Sequence, residues 1–222
     1  MDDNSVIRPV GCRFPGGRRR YARYGFLRSA EVPVSVRNGL LAVLTLGPAY
    51  GAQLHAELGD RLGHRRTVNI GQVYATLERL GVQGLVRAAG VTDDGLPLYR
   101  ITDDGQRQVE SALVEAPDGA PDWAEMLDAV LMATSLPGAD ARELLVSYRE
   151  RWRAISGTAA DGTSRSTAQS RLSGRADAAL SAAALGWLDG VEAELDGLSG
   201  GHDSELARGY STTRPRRGRP SA

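Results

Sequence analysis

Residues 69–86 read NIGQVYATLERLGVQGLV. Ile70, Val73, Leu77 and Leu80 step by three, four and three, which is one face of an α-helix. The opposite face carries Gly71, Gln72, Ala75, Thr76 and Arg79, with Tyr74 near the start. Small, aromatic, amide, hydroxyl and basic groups on one face suit either plain solvent cover or the reading of another molecule. The flanking sequence decides which.

Upstream, VSVRNGLLAVLTLG (34–47) is an apolar helix stopped by Gly47-Pro48. Residues 51–63 form a second, with Leu54, Leu58 and Leu62 at four-residue spacing and Gly63 at its end. The turn HRRT then leads into the quoted helix, which runs to about Gln83. Beyond it the period changes: GLVRAA and PLYRIT are β-like runs around GVTDDGL, where Asp94-Gly95 signals a hairpin. Thr102 or Asp103 caps a fourth helix, DDGQRQVESALVEA. Three helices, a hairpin and a helix in some eighty residues spell a winged helix-turn-helix.

After Pro121 the pattern is helical throughout. DWAEMLDAVLMATS is one helix, and DARELLVSYRERWRAI is another with a stripe of Leu145, Tyr148, Trp152 and Ile155. GTAADGTSRSTAQS reads as a break. The last helix, about 175–198, repeats Ala184, Leu188, Val191, Leu195 and Leu198 as a coiled-coil-like seam, suited to its own domain or to a twin subunit. The expected fold is therefore mostly α with a small β-hairpin wing. Its parts are a disordered basic extension (1–33), a winged helix-turn-helix domain (34–116), a helical dimerisation and effector domain (122–198) broken at 157–174, and a disordered basic tail (199–222).

Charge follows the same division. All 27 basic residues are arginine, and they balance 27 acids to a net charge of zero. Residues 1–33 hold seven arginines against three acids, and 205–222 hold five against one. Residues 34–112 are balanced at eight each, while 113–157 and 158–204 each carry four more acids than arginines. Basic ends beside a neutral module and an acidic one fit nucleic-acid contact by part of the chain, and fit charged disordered ends as well. A single cysteine, Cys12, excludes an intramolecular disulfide and a multi-cysteine metal site, which points to a reducing cytoplasm. No apolar run approaches the roughly 20 residues of a membrane span. The sequence lacks a Gly-rich phosphate loop, a nucleophile elbow and a convergent His/Cys/carboxylate set, so no enzyme, cofactor or metal is expected. His55, His64 and His202 read as surface residues.

The motifs, taken together, resemble the PadR family of bacterial transcriptional regulators. Gly47-Pro48-Ala49-Tyr50-Gly51 matches that family's Gly-Pro-x-x-Gly turn, and GQVYATLERL is similar to its recognition helix. Gly84-Leu85-Val86 opens the wing; Tyr99-Arg100-Ile101-Thr102 and Gly105 close it. The resemblance spans about residues 36–156. It implies a cytoplasmic homodimer that binds a double-stranded DNA operator, most often a repressor relieved by a small hydrophobic effector. Departures from the family pattern are Asp93 and Asp94 in the wing, Ala75 in place of a common Pro, and Gly81 in place of a common Glu.

On this reading Gly71 allows close backbone approach, Gln72 bonds an adenine, Thr76 and Ala75 face base edges, and Tyr74 bonds a phosphate. Arg79 reaches the backbone or a guanine, and Arg37, Arg65 and Arg66 serve as phosphate contacts. Tyr148, Trp152, Leu188, Val191 and Leu195 are the expected dimer interface. Trp123 and Trp152 are candidates for a flat hydrophobic ligand site. Arg217-Gly218-Arg219-Pro220 is close to the core of minor-groove hooks, but a basic disordered end is the reading adopted. The alternative to a DNA reader is a winged module that binds protein and no longer reads DNA, favoured by the acidic wing and the neutral module.

Overall fold

The computed structural model describes residues 34–65, 67–158, 167–198 and 206–211. Helix α1 (Val34–Leu44) leads through a short strand β1 (Ala49–Tyr50) to α2 (Gly51–Arg61) and α3 (Ile70–Val82). Strands β2 (Val86–Val91) and β3 (Pro97–Ile101) form the hairpin, and α4 (Asp103–Val114) follows. Then come α5 (Trp123–Ser135), α6 (Ala141–Thr158) and α7 (Ala168–Leu198).

The expected class holds: mostly helical, with a small antiparallel sheet of order β1-β3-β2. Strand β1 is an addition. The Ala49-Tyr50 pair sits inside the Gly-Pro turn motif, too short for a periodic signal, and pairs with Tyr99 and Leu98. Gly47, at φ 135°, supplies the left-handed backbone that lets α1 end and β1 begin.

Two apolar cores form. The first gathers Leu40, Leu41 and Leu44 of α1 with Leu54, Leu58, Val73, Leu77 and Leu80. The second gathers Met126 and Val130 of α5 with Leu144, Leu145, Tyr148 and Trp152 of α6 and Ala184 and Leu188 of α7. Helix α5 serves both, because its Met132 and the Leu136 that follows it are buried in the first.

Both ends of the expected break at 157–174 are helical. Helix α6 continues to Thr158, and α7 begins at Ala168. Thr167 starts it, since its hydroxyl accepts from the Ser170 N–H at 3.1 Å, a capping bond that the Ser/Thr-rich composition disguises as loop.

The expected disordered tail also needs correction, for residues 206–211. The Tyr210 hydroxyl reaches the Val43 and Gly47 carbonyl oxygens at 2.9 and 2.7 Å. Arg208 bonds Glu57 at 3.1 Å, and the Ser211 N–H donates to the other oxygen of the same carboxylate. Arg61, buried in α2, donates to the Ser135 carbonyl and, at 2.8 Å each, to the carbonyls of Arg208 and Gly209. Burial lowers the Arg61 pKa, Glu57 opposing and Arg208 adding to the shift. The tail is thus a strap across α1, α2 and α5. The hook-like residues 217–220 and the extension 1–33 lie outside the described residues, as do Arg66 and His202.

Candidate nucleic-acid interface

Helix α3 follows α2 after a turn and begins with Asn69, whose side chain accepts from the Gly71 N–H at 2.7 Å. At about 100° per residue, Val73, Thr76, Leu77 and Leu80 occupy one buried arc. Ile70, Gly71, Tyr74, Glu78, Arg79 and Val82 face solvent, with Gln72 and Ala75 half-buried at the margin.

Two expectations on this helix are corrected. Ile70, placed on the core stripe, is 40% exposed at the first position of α3. Thr76, expected to face bases, is 2% exposed, and its hydroxyl donates to the Gln72 carbonyl at 2.7 Å. A hydroxyl inside the helix's own ladder has no reach outward. The buried stripe is turned by one residue from the apolar letters.

Tyr74 is held by the start of α2. Its ring lies over Gly51, where a Cβ would fall 2.5 Å from Cζ and 2.8 Å from the hydroxyl oxygen. Gly51 therefore has a reason to be glycine at negative φ: the tyrosine occupies the place of its side chain. The phenol is left 41% exposed, at the N-terminal end of α2.

Arg65 lies in the turn before α3, exposed, with Nη1 3.6 Å from Oδ1 of the buried Asp128 on α5. Arg37 corrects another expectation. Its guanidinium donates to the side-chain oxygens of Gln83 and Gln108, each at 3.1 Å, so it ties α1 to the end of α3 and to α4 rather than lying on the reading face. His55, expected at the surface, is half-buried and bonded to the Val68 carbonyl at 2.7 Å.

The wing adds residues that sequence reading passed over. Arg87 of β2 and Arg100 of β3 are directly paired and both exposed. Their neighbours Ala88 and Tyr99 alternate to the other face of the ladder. Like charges opposite one another weaken a hairpin, so this pair costs local stability. The signal was one arginine in each strand, but only the register puts the two side by side. Asp93 and Asp94 sit at the tip, so the base of the wing is basic and its tip acidic.

The expected dimer residues are redirected. Tyr148, Trp152 and Leu188 are buried within the chain, and Val191 and Leu195 pack against them. The α7 seam packs on its own α6, where Arg149 also bonds Asp189 and Glu192 of α7. Trp152 is closed to a ligand, its Nε1–H pointing to the Met126 sulfur at 2.9 Å. Trp123 instead meets Trp187 edge to face, with ring centres 5.9 Å apart.

A cavity of about 290 Å³ lies elsewhere, between α1, α4 and α5. Its apolar wall includes Ala42, Leu113 and Met132; Glu115, Glu125, Asp128 and Tyr148 supply polar groups. Among the described residues, no group of three or more His, Cys, Asp or Glu side chains is arranged to hold a metal. None of the described helices is long and apolar enough to cross a membrane.

Comparison with known proteins bears on this arrangement. Residues 40–111 match the Transcriptional regulator PadR-like family. No curated protein is significantly similar to the chain. Among solved structures, PadR of Bacillus subtilis in complex with operator DNA is 19% identical, over 72% of this chain and 99% of that one, with a TM-score of 0.33. The same protein in complex with p-coumaric acid is 18% identical, over 73% and 99%, with a TM-score of 0.32. The virulence activator AphA of Vibrio cholerae is 21% identical, over 73% and 99%, with a TM-score of 0.32. Superpositions of that degree carry no conclusion about function, whereas the matched segment contains the whole helix-turn-helix and its wing. Residues 40–111, the helix-turn-helix and its wing, are thus similar to the PadR-like family of transcriptional regulators.

Proposed function

We propose that this chain is a homodimeric repressor whose α3 reads operator DNA in the major groove and whose grip answers to a small-molecule effector. The observation that carries the reading is the exposed arc of α3, with Tyr74 set over the start of α2 and Arg79 further along. Gln72 at the margin of that arc is the candidate for adenine, and Gly71 leaves room for the groove wall. Arg65, Arg87 and Arg100 supply positive charge around it for phosphates, which give affinity while base contacts give sequence choice.

The second copy belongs on the first half of α7. Residues 168–180 are exposed almost throughout, with Leu172 at 65% and Leu180 at 44%, and a 31-residue helix is long enough to reach past its own subunit. The effector belongs in the cavity beside Tyr148, in place of the tryptophan site expected from sequence.

The test is fluorescence anisotropy on the DNA upstream of the chain's own gene and on a scrambled duplex, at two salt concentrations. Tight binding to the native DNA, lost in Tyr74→Ala and Gln72→Ala, supports the reading. Equal, weak binding to both duplexes would overturn it for this DNA and favour a protein-binding winged module. Sedimentation of Leu172→Arg/Leu180→Arg checks the dimer, and a species that stays dimeric would refute the proposed seam.

A further inference from the structure

Resting on the effector reading above, we propose that the α1–α4–α5 cavity takes a small organic cation, which tunes DNA affinity by competing with Arg65 for the Asp128 carboxylate. The cavity wall carries four carboxylates, those of Glu115, Asp118, Glu125 and Asp128, and no arginine or histidine. Asp118 at the rim is bonded to Arg151 at 2.8 Å. Asp128 is the deepest, at 2% exposure, and one of its interactions is the ion pair with Arg65 at 3.6 Å, longer than a good hydrogen bond.

A buried carboxylate in a low-dielectric wall attracts a cation strongly and repels an anion of the same shape. The field inside agrees with that sign. Burial first, then the carboxylates of Glu125, Asp122 and Asp128, push the Tyr148 hydroxyl up to about 12. At about 290 Å³ the space lies at the low end of ligand pockets. A single aromatic or aliphatic body bearing one amine or quaternary ammonium group fits that size, its apolar part against Ala42, Leu113 and Met132.

The link to DNA is covalent and short. Leu62, the last contact of the α2–α3 turn with the cavity wall, is three residues before Arg65. Asp128 draws the Arg65 guanidinium toward α5, away from phosphates at the start of α3. A cation beside Asp128 weakens that pull and releases Arg65. The ligand acts as a co-repressor, by differential affinity for the two arrangements.

Calorimetric titration of the full chain with benzyltrimethylammonium and with phenylacetate tests the charge class. The cation is expected to bind at least about tenfold tighter, and Asp128→Asn to abolish most of that difference. Glu125→Gln, at a half-buried wall position, carries the same comparison if Asn at 128 unfolds the chain. Phenylacetate binding as tightly as the cation overturns the charge assignment.

Duplex anisotropy tests the coupling. The cation should tighten DNA binding in the wild type but leave Arg65→Gln and Asp128→Asn unchanged, and Asp128→Asn should bind DNA more tightly without ligand. A bound cation that leaves wild-type affinity for DNA unaltered overturns the coupling. If no duplex is bound at all, the DNA reading and the coupling both fail, while the calorimetry judges the cavity by itself.

Discussion

The Tyr210 hydroxyl donates to the carbonyl oxygen of Gly47 at 2.7 Å, across 163 residues of chain. The Val43 carbonyl, which also accepts the Leu46 N–H, lies 2.9 Å from the same hydroxyl, so one phenol ties the last turn of α1 to the turn that follows it. The strap is thereby part of the winged module's own capping. Tyr210→Phe should cost about 1 kcal/mol. Arg61→Met should cost more, about 3 kcal/mol, because it leaves the buried Glu57 carboxylate short of a partner. Urea midpoints of both variants check the order, and an Arg61 variant as stable as wild type would show that the strap network is neutral.

Gly105 opens α4 directly beneath the end of the wing. A Cβ there would overlap the Leu85 carbonyl oxygen and lie 2.8 Å from Ile101 Cγ1. That carbonyl also accepts the Thr102 N–H at 3.0 Å, so it cannot retreat without breaking the join between wing and helix. Gly105→Ala is expected to cost about 2–3 kcal/mol, with a matching fall in thermal midpoint. An unchanged midpoint would mean the join has slack.

Gly51 and Tyr74 give the opposite case, since the obstacle there is the far end of a mobile side chain. Gly51→Ala should move stability by no more than about 1 kcal/mol while pushing the Tyr74 ring off the start of α2. Duplex affinity should then fall about tenfold, close to the effect of Tyr74→Ala. Equal affinity for wild type and Gly51→Ala would remove Tyr74 placement from the reading mechanism.

The wing pair separates stability from binding. Replacing either Arg87 or Arg100 by Gln relieves a like-charge contact and should raise stability by a few tenths of a kcal/mol. The same change should weaken duplex binding and lower the salt slope by about 1. Both signs are read from one protein sample, by urea melt and by anisotropy at several salt concentrations. A variant that loses stability and leaves the slope intact would assign the pair to structure alone.

Alkaline pH supplies a further check. Burial raises the Tyr148 hydroxyl to about 12, and burial together with Glu57 raises Tyr210 against the opposing effect of Arg61. Both groups stay protonated in the folded chain after they ionise in the unfolded one. Their contribution is present below about pH 10 and is lost as pH climbs through the folded values, because the unfolded state then binds fewer protons. Urea midpoints should fall from about pH 10 upward, less steeply in Tyr148→Phe. A slope identical in the variant would mean Tyr148 ionises alike in both states.

The order of elements and the resemblance to the PadR-like family were legible in residues 34–116, because local signals agree there. Apolar spacing of three and four marks the helices, Asp94-Gly95 marks the hairpin, and Thr102 caps α4. The reading helix itself was identified by its own letters. What those letters did not fix was its rotation. A stripe of apolar residues locates a helix face to within about one position, so Ile70 and Thr76 exchanged places when α2 and the hairpin packed.

Long-range pairings had no sequence signal at all. Arg37 and Arg65 look alike as isolated arginines, yet one meets Gln83 and Gln108 while the other meets Asp128. The apolar seam of α7 does not say whose helix it will cover, and tertiary packing gave it to α6. A short polar tail reads as disorder until Glu57 and Arg61 are seen buried beneath it. Sequence determined what each segment is, through periodicity and caps that act within a few residues. Only the tertiary structure decided which faces are left for DNA, a ligand or a second copy, because exposure depends on partners that lie far along the chain.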